Sequence, residues 1–282
     1  MKTTAERRLK PVAVVLGTAC AAAALWAAGP AQAAALPKLT LKIDANSIAV
    51  GGATQSGGVN VVTTTSSKKG AEAILFRLDP GKTAAELQAF LKSKKSQDPN
   101  EANRYGAIVF DAEAIPGHPS EAQTVLAPGE YLALAAPGHG PPKIATPFTV
   151  SAAAAPAALP KPQATIRSID FDFRGPSTLH EGELVRFKNE GFLVHMDLAF
   201  PVKSKAAAKQ VAHGMLTGRQ KGLGKLFAGP PVGFQGAVSH GAFQQERIDA
   251  RPGWYVQVCF MEDQEGVPHT QLGMERLLRI VK

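Results

Sequence analysis

The sequence predicts an all-β protein, two antiparallel β-sandwich domains in tandem behind a secretory signal peptide. Three observations carry this expectation. Most apolar segments are short and alternate with period two, Gly/Pro-rich turns separate them, and the same order of segments occurs twice within 282 residues. That length suits one large domain or two ordinary ones, each with its own core. In "WYVQVCF", Trp254, Val256, Val258 and Phe260 face one way while Tyr255, Gln257 and Cys259 face the other. "TIRSIDFDF" and "ELVRFK" alternate similarly.

Residues 1–33 carry Arg7, Arg8 and Lys10 ahead of an apolar stretch and close on Ala31-Gln32-Ala33, a small-residue cleavage pattern. The mature chain is expected to start near Ala34. Gly29-Pro30 breaks the apolar run, which argues against an uncleaved anchor, and Gly17 stands where a lipid-anchor motif at Cys20 would want a large aliphatic residue. No other stretch is long and apolar enough to span a bilayer. The expected location is therefore extracytoplasmic, periplasmic or extracellular.

Residues 36–150 and 163–282 are the two expected domains, joined by the Ala/Pro-rich 151–162, which reads as a semi-rigid linker. The first half runs from "VNVVTTTSSKKGAEAILFRL" through a helix-like "TAAELQAFLKSKK" to "PGEYLALAA" and "ATPFTV". The second runs from "ELVRFKNEGFLVHMDLAF" through "KAAAKQVAHGML" to "PGWYVQVCF" and "LLRIV". Pro128-Gly129-Glu130-Tyr131 lies over Pro252-Gly253-Trp254-Tyr255, each a turn feeding an alternating strand. The parallel implies an internal duplication.

Of the formal net charge of +8, the first 33 residues carry +3, leaving a mild +5 that favours solubility and anionic partners. No dense Lys/Arg run with interleaved aromatics occurs, which argues against nucleic acid as a target. Once Cys20 leaves with the signal, Cys259 has no intramolecular partner. An unpaired cysteine in an exported protein means intermolecular pairing, a reactive thiol, a metal ligand or a small buried hydrophobe.

"CFMEDQEGVPHTQLGM" places nine residues between Cys259 and His269 and four between His269 and Met274. His195 stands at the head of an apolar strand, with five residues between it and Asn189. A thiolate, two imidazoles and a thioether are the set that a trigonal His₂Cys copper site with a weak axial Met requires. With the Asn-x5-His element, the Pro-Gly-x-Tyr turn before the cysteine strand, Pro268-His269 and Gly273-Met274, the segment Thr165–Val281 resembles a cupredoxin of the plastocyanin/azurin family. The resemblance implies His195, Cys259 and His269 as equatorial ligands and Met274 as the axial one. It further implies one type 1-like copper, an eight-stranded Greek-key sandwich, and one-electron transfer or copper carriage. The segment between Cys259 and His269 is longer than in plastocyanin or azurin and nearer to copper nitrite reductases, its extra "MEDQEG" being acidic. Met196 stands where cupredoxins often place a polar residue that ties the ligand loops together. Multicopper enzymes flank the cysteine with histidines; Val258 and Phe260 flank it here, which argues for a carrier rather than a catalyst.

The first half resembles the second without its ligands. Ala135 falls opposite Cys259, Lys143 opposite Met274, and Glu72 stands at the place of His195, while His139 is near the His269 position without partners. A metal-free sandwich is expected there. Lys203, Lys205, Lys209, Arg219, Lys221 and Lys225 cluster in the insertion 203–225, a solvated face or a docking surface for an anionic redox partner or cell-wall polymer. The sequence also fits two other functions. One is a metal-free secreted adhesion or scaffolding protein, which has no reason to keep Cys259 unpaired. The other is a cysteine hydrolase using Cys259 with His195 or His269, for which no helix N-terminus or oxyanion loop is recognisable.

Overall fold

Period-two alternation becomes sheet faces in the computed structural model, which describes residues 35–93, 98–137 and 142–282. The expected signal peptide at 1–33, Cys20 and His139 lie outside the described residues. In β1 (Lys38–Asp44), Leu39, Leu41 and Ile43 are buried while their neighbours face solvent. β1 pairs with β2 (Ser47–Gly52) and β3 (Gly57–Thr65), and β3 pairs with β6 (Ser120–Leu126). Opposite them lie β4 (Ala71–Leu78), β5 (Gly106–Ala114), β7 (Gly129–Pro137) and β8 (Ile144–Val150), in the order β5-β4-β7-β8. Leu39, Leu41, Val61, Leu75, Phe110 and Tyr131 fill the space between the two sheets.

The second half repeats the plan. β9 (Ala164–Ile169), β10 (Asp172–Arg174), β12 (Leu184–Asn189) and β15 (Phe243–Arg247) form one layer. β11 (Thr178–His180), β13 (His195–Val202), β14 (Val232–Val238), β16 (Gly253–Val258) and β17 (Glu275–Val281) form the other, ordered β11-β17-β16-β13-β14. Ile166, Phe187, Phe234, Tyr255 and Leu278 pack between them. The first layers of both halves join through β15 and β6, where Gln245 meets Gln123, into one eight-stranded sheet.

The fold is thus mostly β, but the expected antiparallel pairing needs correction at three places: β1 with β3, β9 with β12 and β11 with β17 run parallel. Between the partners in each pair the chain crosses over other strands, so the second strand returns in the same direction.

Both helices appear where the sequence places them. α1 (Ala84–Leu91) starts on a capping box: the Glu86 amide donates to Thr83 Oγ1 and the Thr83 amide to Glu86 Oε2. Its Leu87 and Phe90 cover Ile74, Phe76 and Leu134 on the outer face of β4 and β7, together with Val194 and Val238 from the second half. β4 is therefore buried on both faces, which explains why "AILF" runs apolar without alternating. α2 (Lys205–Leu216), capped by Ser204, lays Ala207, Ala208, Val211 and Met215 on Val256 and Val258. The segment 151–162 is held against the body, its Ala157 carbonyl accepting from the Gly58 amide and its Pro160 carbonyl from Gln245 Nε2.

The two aligned Pro-Gly turns share a further device. Tyr131 hydroxyl donates to the Ala127 carbonyl at 2.8 Å, and Tyr255 hydroxyl to the Arg251 carbonyl at 2.7 Å, each reaching four residues back. Tyr131 also accepts from the Ala127 amide. Tyr255→Phe is expected to lower stability by about 1 kcal/mol, and Tyr131→Phe by more because two bonds are lost. Urea denaturation should show a lower midpoint at unchanged slope for both.

Candidate metal centre

Alternation along β16 sends Tyr255 and Cys259 into the core of the second half and Val256 and Val258 outward beneath α2. His195 opens β13, the neighbour of β16 in the sheet, so its ring arrives beside the sulfur. His269 begins a 3-10 turn, His269–Leu272, that ends at Gly273 with φ 108°. That left-handed conformation suits glycine and lets the chain reverse at once into Met274 and β17. The Met274 amide donates to the His269 carbonyl at 2.9 Å, and the Cys259 amide to the Met274 carbonyl at 3.2 Å.

Cys259, His195, His269 and Met274 are all buried. Cys259 Sγ lies 3.7 Å from His195 Nδ1 and 3.4 Å from His269 Nδ1, and the two Nδ1 atoms are 3.1 Å apart. A point equidistant from the corners of that triangle is about 2.0 Å from each atom, the range of metal–imidazole and metal–thiolate bonds of about 2.0–2.3 Å. The residues therefore fit a metal ion, and the donor set is that of one type 1-like copper site. Met274 shares the core with Cys259 and is bonded through its backbone to both Cys259 and His269.

Each imidazole is aimed by a neighbour. His195 Nε2 meets Asp170 Oδ1 at 2.6 Å, and Asp170 also accepts from the amides of Phe192 and Leu193. Because the carboxylate accepts, the ring proton sits on Nε2 and the Nδ1 lone pair faces the sulfur. Burial raises the Asp170 pKa, but the Phe192 amide, the His195 ring and the Leu193 amide outweigh it and hold the group below its ordinary value. A Cβ on Gly191 would collide with both Asp170 Oδ1 and His195 Nε2, so only glycine leaves this pair its space. The His269 ring packs edge-on against Phe171 at 4.8 Å. Burial pushes the Cys259 thiol up to about 12, and burial together with His195 pushes His269 down to about 4. Without a cation the centre is thus a neutral thiol beside neutral rings.

The ligand loops are tied together despite Met196. Its backbone amide points at Cys259 Sγ, 3.4 Å away. Asn189 bonds the Leu193 and Val238 carbonyls and the Gly191 amide. Asn100, on the 3-10 turn Pro99–Arg104 of the first half, accepts from the Val194 amide at 2.6 Å and donates to the Glu262 carbonyl. The extra residues between Cys259 and His269 pinch into a closed turn. Asp263 Oδ1 accepts from the Glu265 and Val267 amides, the Asp263 amide bonds the Val267 carbonyl, and the His269 amide returns to the Met261 carbonyl at 2.8 Å.

The structure brings His195, Cys259 and His269 together. His213 is exposed on α2, His180 bonds the Lys282 carbonyl, and His240 stacks on Phe192. Sequence reasoning missed Asp170, Gly191 and Asn100. Asp170 looks like one polar residue of an alternating strand, and Asn100 lies 94 residues before Val194, so no local spacing marks either.

No protein-family model and no curated protein matches the sequence. Among solved structures, a reduced auracyanin from Roseiflexus castenholzii is 16% identical, covering 42% of this chain and 95% of that one, with a TM-score of 0.25. Auracyanin A, a "blue" copper protein from Chloroflexus aurantiacus, is 19% identical over 42% of this chain and 96% of its own, also at 0.25. An azurin from Methylomonas sp. strain J is 14% identical with the same two coverages and a TM-score of 0.23. These superpositions are partial; the donor atoms and their spacing define the site.

Proposed function

We propose that this is an exported protein in which His195, Cys259, His269 and Met274 would hold one copper ion, and that it carries single electrons or copper itself. The observation that supports this most is the convergence of two Nδ1 atoms and one Sγ around a single point, in a pocket closed to water. Copper bound there would supply a one-electron couple, soft sulfur and borderline nitrogen suiting both oxidation states. The protein's part is to fix the donors: Asp170 holds the His195 tautomer, the backbone bonds of Met274 hold Cys259 and His269, and Asn100 clamps the two loops.

A carrier is favoured over a catalyst. All four residues are buried, leaving no open position for a substrate. Val258, which packs under α2, and Phe260, beside Phe200, are the sequence neighbours of Cys259, so no histidine flanks it along the chain. Among the described residues, His195, Cys259 and His269 are the one group of three side chains placed to share a metal. We read residues 163–282 as the copper-binding domain and 36–150 as its metal-free repeat. We also propose that the exposed Lys203, Lys205, Lys209, Arg219, Lys221 and Lys225 meet an acidic partner. α2, from which this basic face extends, lies against the His269 turn.

Adding Cu(II) to the purified protein should produce an intense visible copper–thiolate band, and Cys259→Ser should abolish it; a colourless wild type, or a coloured variant, sinks the reading. Met274→Leu should keep the band but raise the reduction potential in voltammetry, because a donor to Cu(II) is lost. Asp170→Asn should weaken Cu(I) binding about 10–100-fold in chelator competition.

A further inference from the structure

Cys259, His195, His269 and Met274 are at most 1% exposed, so whatever reaches them must pass a cover. Besides the ligand loops themselves, the two-residue turn between β9 and β10, Asp170 and Phe171, lies on the centre. It touches both imidazoles. Asp170 Oδ1 is 2.6 Å from His195 Nε2, and the Phe171 ring stands edge-on to His269 at 4.8 Å. Its backbone overlies the His269 turn as well, since the Phe171 carbonyl would be 3.7 Å from a Cβ on Gly273.

The turn is held differently from the ligand loops. Those are fixed by backbone bonds and by Asn189 and Asn100, among them His269 amide to Met261 carbonyl and Cys259 amide to Met274 carbonyl. The ties of the turn run through its side chains: the Asp170 carboxylate to the Phe192 and Leu193 amides and to His195, and the Phe171 ring to His269. The Asp170 side chain is 22% exposed and Phe171 is half-buried, so the outer side of the turn faces water. β10 is a three-residue strand at the edge of its sheet. Both ends of the hairpin are anchored. The Ser168 carbonyl accepts from the Glu190 and Gly191 amides, and Arg276 Nη1 donates to the Phe173 and Gly175 carbonyls. Movement confined between Ser168 and Phe173 costs side-chain contacts but no bond within a ligand loop, which is the kind of segment that opens locally.

We propose that the Asp170–Phe171 turn is the entry gate of the metal centre and that Phe171 is the residue that closes it. A metal ion or a small reagent reaches Cys259, His195 and His269 when the turn lifts, while the ligand loops stay in place. Lifting also takes Asp170 off His195, so access and loosening of that ring come in one movement. The gate rests on the reading of these side chains as metal ligands only for what passes through it.

The test follows alkylation of Cys259 by N-ethylmaleimide in the metal-free full chain, read by mass spectrometry on the peptide that holds Cys259. Phe171→Ala should speed the reaction about tenfold or more, since an aromatic contact and the cover are lost together. Phe171→Leu, which refills the space, should restore most of the wild-type rate. Phe192→Ala, which removes an exposed ring from the ligand loop, should leave the rate unchanged. Urea separates the gate from unfolding: local opening exposes little surface, so below the transition the wild-type rate should rise far less steeply than global unfolding requires. An unchanged rate in folded Phe171→Ala, equal acceleration by Phe192→Ala, or a wild-type rate that climbs with the full unfolding slope would each overturn the gate. The urea series needs no variant to fold. A colourless wild type with Cu(II) sinks the copper reading instead and leaves the alkylation rates to decide the gate.

Discussion

Three lone-pair donors lie 3.1–3.7 Å apart in a core closed to water, with few hydrogens to share among them. A neutral thiol offers one weak hydrogen, and with the His195 proton on Nε2 the two rings offer at most one more between them, on His269 Nδ1. Buried polar groups normally find partners, and His269 Nε2 finds none among the described residues. The rest of the second half exists around this arrangement: β16 delivers the sulfur, β13 and the 3-10 turn deliver the rings, and every backbone bond near them resists their separation. A cation at the centre resolves the conflict by taking all three lone pairs at once, and it favours the thiolate that burial alone opposes.

The first half bears on the site through polar contacts across the junction. Ser239 exchanges bonds with the backbone of Ile108 and reaches Asn103; the Asp111 amide bonds Gln244; Asn100 spans the Val194 amide and the Glu262 carbonyl. These groups sit beside apolar packing of Val194 and Val238 under α1 and β4. Removing the first half would expose that face and free both ligand loops, so its contribution to the centre is rigidity rather than a ligand. Where Met196 offers no polar side chain, a residue from the other half of the chain supplies the tie.

Much of this was legible in the sequence, for specific reasons. Cys259 and Tyr255 share a face because strand periodicity is two, and that periodicity needs only local residues to read. The two Pro-Gly-x-Tyr turns predicted matching strands, and both tyrosines make the same bond back to a carbonyl. The donor types and their order along the chain pointed to the metal. What remained hidden was non-local. Asp170 meets His195 because β9 runs alongside β12, a parallel pairing that no turn announces. Asn100 depends on how the halves dock. The acidic "MEDQEG" misled in the opposite sense: its length is absorbed by Asp263, which closes the turn so that Met261 and His269 stand side by side.

These ties bear on the choice between carrying electrons and delivering copper. Releasing a metal from this centre means moving a ligand, and each ligand is held twice. Cys259 is fixed by its strand and by the Met274 carbonyl, His269 by the Met261 carbonyl and the Met274 amide, and His195 by β13 and Asp170. Opening any of them would expose an apolar core or strand a buried polar group, which on the proposed reading would slow ligand exchange. The same stiffness helps electron transfer, because donors that hardly move between oxidation states leave little reorganisation to overcome. On the proposed reading the geometry therefore favours an electron carrier, with the basic face beside α2 as the place where a partner approaches.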